Sequence, residues 1–502
     1  MIPVPGFEGR RVAVFGLGRS GITAARALQA GGALPILWDD GVSGRMQAEA
    51  EGFAVEDLTV ADWTSFEALV LSPGAPLTQP KPHWTVDKAH EAGVPVIGDI
   101  ELFARALDAL PEAERPRVVA ITGTNGKSTT TALIASVLKR AGLMVHMGGN
   151  IGIGVLALPR PTPKAVYVIE VSSYQLDLTT RFKPDVAILT NVSPDHLDRH
   201  GGMEGYVKAK ARLFQVMTDQ SLALIGVDEE WGRKVAAQIT GPKVQTITTH
   251  PSPLGGKGRS RSVTDEGAHS QPVEPQSVFG ITPQPLPSGP PSTVRGEGIE
   301  AWAGELWVEG CRIDLSTARS LPGRHNAQNA AMAYATAREL GLSHDQALDG
   351  IVNFPGLAHR MEAVGRLGAV RFINDSKGTN ADAAYQALGS YPTSYWIAGG
   401  VPKEGGIEPL RPLFGHVAKA YLIGQAAQDF AETLKDVPHV IAGTIEAAVK
   451  MAAEDAAAAG GEQVVLLSPA CASFDQFPDF EVRGEAFRAA VLALGTVPEA
   501  SQ

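Results

Sequence analysis

The stretch Ile121-Thr-Gly-Thr-Asn-Gly-Lys-Ser-Thr-Thr-Thr131 decides how the chain is read. Ahead of it, Arg117–Ile121 is a short apolar run of strand type. Behind it, Thr131 to Gly142 carries apolar residues at helical spacing and ends in a glycine. Strand, glycine loop and helix together are the setting of a phosphate-binding loop. Gly123 and Gly126 let the backbone turn so that successive N–H groups face one anion, and the helix N-terminus adds partial positive charge. Lys127 can reach terminal phosphates, and the Ser128 hydroxyl can ligate Mg²⁺. In one place the loop departs from Gly-x-x-x-x-Gly-Lys-Ser/Thr: Ile121 stands where the first glycine is expected. The alternative is a polar strand-to-helix turn with an incidental lysine.

Outward from the loop, polar residues gather at the ends of neighbouring strands. Ala165–Ile169 runs into Glu170-Val-Ser172-Ser173, and Val186–Leu189 runs into Thr190-Asn191-Val-Ser-Pro-Asp195-His196-Leu-Asp198-Arg199. Mg²⁺ takes hard oxygen ligands, so Glu170 is the first candidate for a metal ligand; the alternative is a helix N-cap acid. Asp195, His196 and Asp198 form a second candidate metal cluster, against a histidine that merely closes a turn.

The chain before the loop begins with Arg11–Phe15, Gly16-Leu17-Gly18-Arg19-Ser20-Gly21, a helical pattern to Ala30, and a strand Ala33–Trp38 ending at Asp39-Asp40. This is a Gly-x-Gly-x-x-Gly fingerprint with an acid about twenty residues on. The glycines either pack a helix on a strand or also bind a phosphate-type ligand. Leu69–Leu71 with Ser72-Pro73-Gly74, and Gly93–Ile97, continue the alternation. Beyond the loop, Thr249 to Glu297 holds nine prolines and reads as a disordered or loosely ordered surface insertion. Trp302–Trp307 and Cys311–Leu315 read as short strands, and His325-Asn-Ala-Gln-Asn329 opens a long Ala-rich helix. From about 357, strands Ala369–Ile373, Ser394–Ala398, Ala420–Ile423, His439–Ile441 and Gln463–Leu467 alternate with helices. The first of these ends in Asn374-Asp-Ser-Lys-Gly-Thr-Asn380 and the last in Ser468 to Phe477.

The fold class expected is therefore α/β in three domains: 1–110 Rossmann-like, 111–356 a central P-loop ATPase-like unit with the insertion, and 357–502 a second Rossmann-like doubly wound sheet. Length agrees, since 502 residues suggest about three domains. A net charge of −11 argues against a general nucleic-acid or membrane-surface binder. Two cysteines far apart cannot build a disulfide framework and fit a reducing cytosol. The N-terminus lacks a signal peptide's charged-then-apolar order. No apolar run is long enough to span a bilayer.

Taken together, these stretches resemble the Mur ligases, ATP-dependent amino-acid-adding enzymes of peptidoglycan synthesis. The residues that carry the likeness are Thr122 to Thr129, Gly149-Asn150-Ile-Gly, Glu170 to Leu176, Asn191 to Arg199, Tyr206-Val-Lys-Ala-Lys210, His325 to Asn329, His359-Arg360 and Asn374 to Asn380. Leu467 to Phe477 and Phe480-Glu-Val-Arg-Gly484 look like the D-glutamate-adding branch. The resemblance implies a cytoplasmic ligase joining D-glutamate to UDP-N-acetylmuramoyl-L-alanine through an acyl phosphate, acting without nucleic acid or membrane and expected to be a monomer. It implies that Thr122, Gly123, Thr124, Asn125, Gly126, Lys127, Ser128, Thr129 and Thr130 hold ATP phosphates, with Asn326, Asn329, Arg360 and Asp375 placing the nucleotide. Two Mg²⁺ would bind, one through Ser128 and Glu170 and one through His196 and Lys210. Lys127, His196 and Lys210 would serve catalysis, Lys210 carrying a CO₂-derived carbamate; the alternative for Lys210 is a solvated helix lysine. Gly16, Leu17, Gly18, Arg19, Ser20, Gly21, Asp39, Asp40, Gly74 and Asn150 would hold the UDP-linked substrate, and Lys377, Thr379, Lys403, Ser473 and Phe480 the D-glutamate. One departure is local: the family's glycine-rich loop near 399 usually carries an acid, where this chain has Gly399-Gly-Val401-Pro402-Lys403-Glu404.

Overall fold

The computed structural model describes residues 1–249, 298–302, 304–308, 311–318, 320–403 and 405–498. The Pro-rich insertion, beyond its first residue Thr249, lies outside the described residues.

Three sheets organise the described chain. The first has five parallel strands in the spatial order Ala54–Val55, Leu34–Trp38, Arg11–Phe15, Phe66–Leu71, Val96–Ile97. The second has nine, in the order Cys311–Asp314, Glu305–Val308, Ile299–Trp302, Lys243–Thr248, Leu222–Gly226, Val186–Leu189, Arg117–Thr122, Ala165–Glu170, Met144–Gly149. The run Trp302–Trp307, expected as one strand, is divided between two: Trp302 ends one strand and Glu305–Val308 forms the next, antiparallel to it. Trp302 pairs with Glu305, so the apolar run breaks between them. The third sheet is His439–Gly443, Val417–Ile423, Ser394–Gly399, Gln463–Leu467, Val370–Asn374, Glu362–Leu367, Val497–Pro498. Its last two strands pair antiparallel, a doubly wound sheet with a reversed edge.

Strands buried on both faces explain the apolar runs. Val118 to Thr122 and Ala165 to Glu170 are buried along their lengths, because helices cover both sides of a parallel sheet. The first and central sheets share one core. Ile2, Phe7 and Phe103 lie in the same apolar cluster as Tyr167, Phe182 and Val192. Burying such side chains stabilises by roughly 2 kcal/mol each, which makes this junction a welded one.

What the fold does for function is set by strand order. Arg117–Thr122 lies between Val186–Leu189 and Ala165–Glu170, all parallel. Their carboxyl ends deliver the phosphate loop, Thr190-Asn191 and Glu170 to one place. In the third sheet, Val370–Asn374, Gln463–Leu467 and Ser394–Gly399 are likewise neighbours. Among the described residues, no helix is long and apolar enough to cross a membrane.

Candidate active site

The helix after the phosphate loop begins at Lys127, earlier than apolar spacing alone suggests, because Gly126 caps it in a left-handed conformation at φ 80°. Gly126 and Gly123 have no room for a side chain. A Cβ on Gly126 would lie 2.8 Å from Asn329 Oδ1, and one on Gly123 1.9 Å from Thr190 Oγ1. The loop is pinned from its neighbour strand. Asn125 N donates to Asn191 Oδ1 at 2.9 Å, while Thr190 Oγ1 and Asn191 Nδ2 both donate to Asn125 O. From the Ala-rich helix Arg324–Glu339, Asn329 Oδ1 accepts from Thr130 Oγ1 at 3.0 Å, and Asn329 Nδ2 donates to Asn326 Oδ1 at 3.1 Å. Thr124 to Thr129 line a cleft of about 520 Å³. Thr122, Gly123 and Thr130 are buried behind that surface.

Lys127 Nζ folds back to donate to Thr124 O at 2.7 Å. Burial lowers its pKa, with Glu170 acting in the opposite sense. Glu170 is buried, and its Oε1 accepts from Asn150 Nδ2 at 2.7 Å. Its Oε2 is buried with no hydrogen-bond partner among the described residues. Glu170 does not cap a helix: the helix Ser173–Asp177 is capped by Ser172, whose hydroxyl accepts from Gln175 N. An orphaned carboxylate oxygen beside a phosphate loop fits a hard cation that would take its remaining ligands from phosphate and water. Ser128 Oγ lies in the same region and accepts from Arg360 Nη2 at 2.8 Å.

His196 adopts φ 54°, and its Nε2 lies 3.3 Å from Asp195 Oδ2. Burial lowers its pKa first, Asp195 opposing. The cluster Asp195, His196, Asp198 is not a metal cage. Asp198 is exposed, and among the described residues no group of three His, Cys, Asp or Glu side chains is placed to hold a metal. The two acids flank the left-handed His196 in sequence. Lys210 is not a solvated lysine. It is 1% exposed, its Nζ donates to Gly123 O at 2.7 Å, and it lies 4.4 Å from the centre of the Tyr206 ring. Burial, then Lys127, pushes its pKa well below the ordinary lysine value. Burial of this kind disfavours the charged form of an amine.

Across the cleft stand third-sheet residues. Arg360 is flanked by two left-handed residues, His359 at φ 62° and Met361 at φ 48°, and reaches Ser128 and Thr129. Asp375 is buried and accepts from Ser468 Oγ at 2.8 Å; desolvation raises its pKa to about 7. Lys377 Nζ sits 3.8 Å over the Phe480 ring, and burial brings its pKa down to about 8. Asp375, Lys377, Thr379 and Lys403 line the cleft with Asn150, Asn326 and Asn329. Ser473 is buried, and neither it nor Phe480 is part of the cleft lining. Despite the missing acid, the loop at Lys403 is ordered: Val401 pairs with Ala472 in an isolated antiparallel bridge. That ties it to the Ser473 segment. Lys403 Nζ is 3.9 Å from Asp195 Oδ1, joining two domains.

First-domain residues form a separate station. Gly16 and Gly21 are packing glycines, since added Cβ atoms would lie 2.4 Å from Ser72 Cβ and 1.9 Å from Gly16 O. Asp39 is occupied within its own loops, accepting from Leu17 N at 2.6 Å and Gly41 N at 2.7 Å. Asp40 approaches His83 at 3.2 Å. Gly18 precedes the helix Arg19–Ala30, which takes in Ser20 and Gly21. Arg19 donates to Gly152 O at 2.7 Å, beside the Asn150 loop, and Arg199 donates to Gly74 O at 3.2 Å. These contacts connect the first domain to the central one.

Sequence reasoning assigned no role to Glu229, His325 or Arg483. Glu229 lines the cleft and accepts from Val192 N at 2.9 Å. His325 lines it too, its pKa lowered by burial to about 4. Arg483 is buried, holding Ser376 and Cys471. The Phe-Glu-Val-Arg-Gly run contained the last signal, but only burial shows what the arginine does.

Residues 121–269 match the model of the Mur ligase middle domain. The chain is 56% identical over 501 residues to the UDP-N-acetylmuramoylalanine–D-glutamate ligase of Caulobacter sp. strain K31, covering 99% of this chain and 98% of that one. It is 48% identical over 501 residues to the protein of the same name from Mesorhizobium japonicum, covering 99% and 98%. Among solved structures, the UDP-N-acetylmuramate-alanine ligase of Thermotoga maritima shares the fold at TM-score 0.55 and 16% identity, covering 97% of this chain and 99% of that one. With this identity running over nearly the whole length of both chains, the chain belongs to the UDP-N-acetylmuramoylalanine–D-glutamate ligase family of Mur ligases.

Proposed function

We propose that this protein, a cytoplasmic monomer, adds D-glutamate to UDP-N-acetylmuramoyl-L-alanine in peptidoglycan precursor synthesis, with ATP as the phosphoryl donor. The observation that carries the reading is one cleft in which the phosphate loop and Glu170 face Asp375, Lys377 and Lys403 of a different sheet.

A carboxylate and an amine do not condense in water, because the carbonyl carries no leaving group. The alanyl carboxylate oxygen attacks the γ-phosphorus of ATP; that O–P bond forms as the bond to ADP breaks, giving an acyl phosphate. The D-glutamate amine then adds to the carbonyl, loses a proton to a base, and phosphate departs from the tetrahedral intermediate. The loop N–H groups and Lys127 cradle the phosphates, and Arg360 reaches them from the third domain. Magnesium, when bound, supplies charge neutralisation at the phosphates, held by Ser128 and Glu170 at one site and by His196 and Lys210 at the other. A bare Lys210 amine does not suit a cation. Its depressed pKa supports combination with CO₂: an N–C bond forms, a proton leaves, and an anionic carbamate results. Lys377, Thr379, Lys403, Ser473 and Phe480 receive D-glutamate. The Gly16–Gly21 loop and Gly74 receive the uridine diphosphate, with Asp39 shaping that loop from within.

The test is phosphate release with UDP-N-acetylmuramoyl-L-alanine, comparing D-glutamate, L-glutamate and other amino acids. Release with D-glutamate alone is expected. A preference for any other amino acid overturns the assignment.

A further inference from the structure

The His359-Arg360 pair was notable in the sequence, yet only the arginine has a task in the reaction. His359 is buried and holds a left-handed backbone that a β-carbon disfavours. Its two peptide groups are committed in different directions. The N–H donates to Glu362 Oε2 at 2.8 Å, and the carbonyl accepts from Lys377 N at 3.0 Å. One residue therefore abuts Arg360 in sequence and bonds the backbone of Lys377 in space.

The ring is held as firmly. Asn374 Oδ1 accepts from Ser376 N at 3.2 Å, so its amide nitrogen is the atom facing His359 Nδ1, 3.0 Å away. Nδ1 is the acceptor, and Nε2 carries the proton toward Glu485 Oε1 at 3.4 Å. The ring also lies flush against the helix Phe480–Ala493 at Gly484, where an added Cβ would come 2.2 Å from His359 Nδ1.

Building on the ligase reading above, we propose that His359 is a positioning residue that makes the nucleotide arginine and the amino-acid loop a single unit, so that the ATP and D-glutamate subsites are organised together. Arg360 sits at a fixed point of the cleft because the residue before it is clamped by ring and backbone. The same clamp fixes the amide of Lys377.

Three variants test this. His359→Gly removes the ring and tolerates the left-handed backbone. His359→Asn keeps an acceptor and a residue type that accepts that backbone. Gly484→Ala displaces the ring from outside the cleft. His359→Gly and Gly484→Ala are expected to raise KM for ATP and for D-glutamate together by about tenfold, the scale of a lost hydrogen bond or two, with KM for the UDP-linked substrate unchanged. His359→Asn is expected to stay near wild type. A rise in one constant alone, an equal rise in all three, or an Asn variant as impaired as Gly overturns the proposal. If His359→Gly does not fold, Gly484→Ala carries the same comparison. A second readout needs only nucleotide: ATP is expected to slow hydrogen exchange at the Lys377 amide in the wild type and in His359→Asn but not in His359→Gly or Gly484→Ala, and equal slowing in wild type and these last two overturns the proposal. A wild type without D-glutamate turnover would count against the ligase reading, while the exchange experiment would still decide the role of His359.

Discussion

Asp375 shows how one buried residue of the cleft acts at a cost to the fold. Desolvation raises its pKa from 3.8 to about 7, and the Ser468 hydroxyl recovers only part of the lost hydration. The folded state therefore binds the proton more tightly than the unfolded chain. The destabilisation is absent below pH 3.8, grows as pH rises through the interval, and is complete above about 7. Asp375→Asn is thus expected to melt higher than wild type at pH 8, by about 2 °C or more, with the gap narrowing toward pH 5. The same variant is expected to bind ATP more weakly, read by titration calorimetry. An unchanged pH dependence of the melting temperature would show that the carboxylate is solvated. Lys210 is the mirror case. Its type and spacing from Tyr206 were legible in the sequence, but an ordinary helix lysine has the same spelling. Burial against Gly123 O distinguishes the two.

At the scale of elements, the strand–loop–helix unit from Arg117 to Arg140 was legible because its causes are local. Apolar spacing made the strand, and two glycines made the turn. Its closeness to Asn329 was not legible, because Gly126 and Asn329 are 203 positions apart in sequence and only the packing of two helices brings them together. Gly126→Ala joins both scales. It places a side chain at φ 80° and presses on Asn329 Oδ1, costing about 1 kcal/mol or more. KM for ATP is expected to rise about tenfold, with the affinity of the first domain for UDP, measured by calorimetry, unchanged. The Trp302–Trp307 run failed as a single strand for a related reason. Alternation of apolar residues cannot reveal a turn whose bonds come from the opposite strand.

For the whole molecule, the decisive contrast is between two junctions. The first and central domains share an apolar core and a buried carboxylate. Glu101 accepts from the backbone of Thr180 at 2.8 Å and of Arg181 at 3.0 Å. Glu101→Ala strands these donors and is expected to lower stability by about 3 kcal/mol. Scanning calorimetry should show a lower melting temperature, while turnover at 25 °C stays near wild type. A normal melt would mean that the junction rests on its apolar contacts alone. The third domain meets the central one through polar pairs at the cleft: Ser193 with Asp382 at 3.2 Å, Lys403 with Asp195 at 3.9 Å, and Arg360 with Ser128 at 2.8 Å. Such contacts exchange readily with water, which suits a face that must admit substrates.

By itself, the order of residues determined the α/β class, the succession of strands and helices, and the chemistry of the phosphate loop. Each follows from interactions within a few positions. Only tertiary structure decided that Glu170 keeps a bare oxygen, that Lys210 loses its solvation, that Asp39 is absorbed by its own loops, and that His359 bridges Arg360 and Lys377. Those outcomes depend on burial and on partners many residues away, because desolvation and hydrogen-bond geometry are properties of the packed molecule.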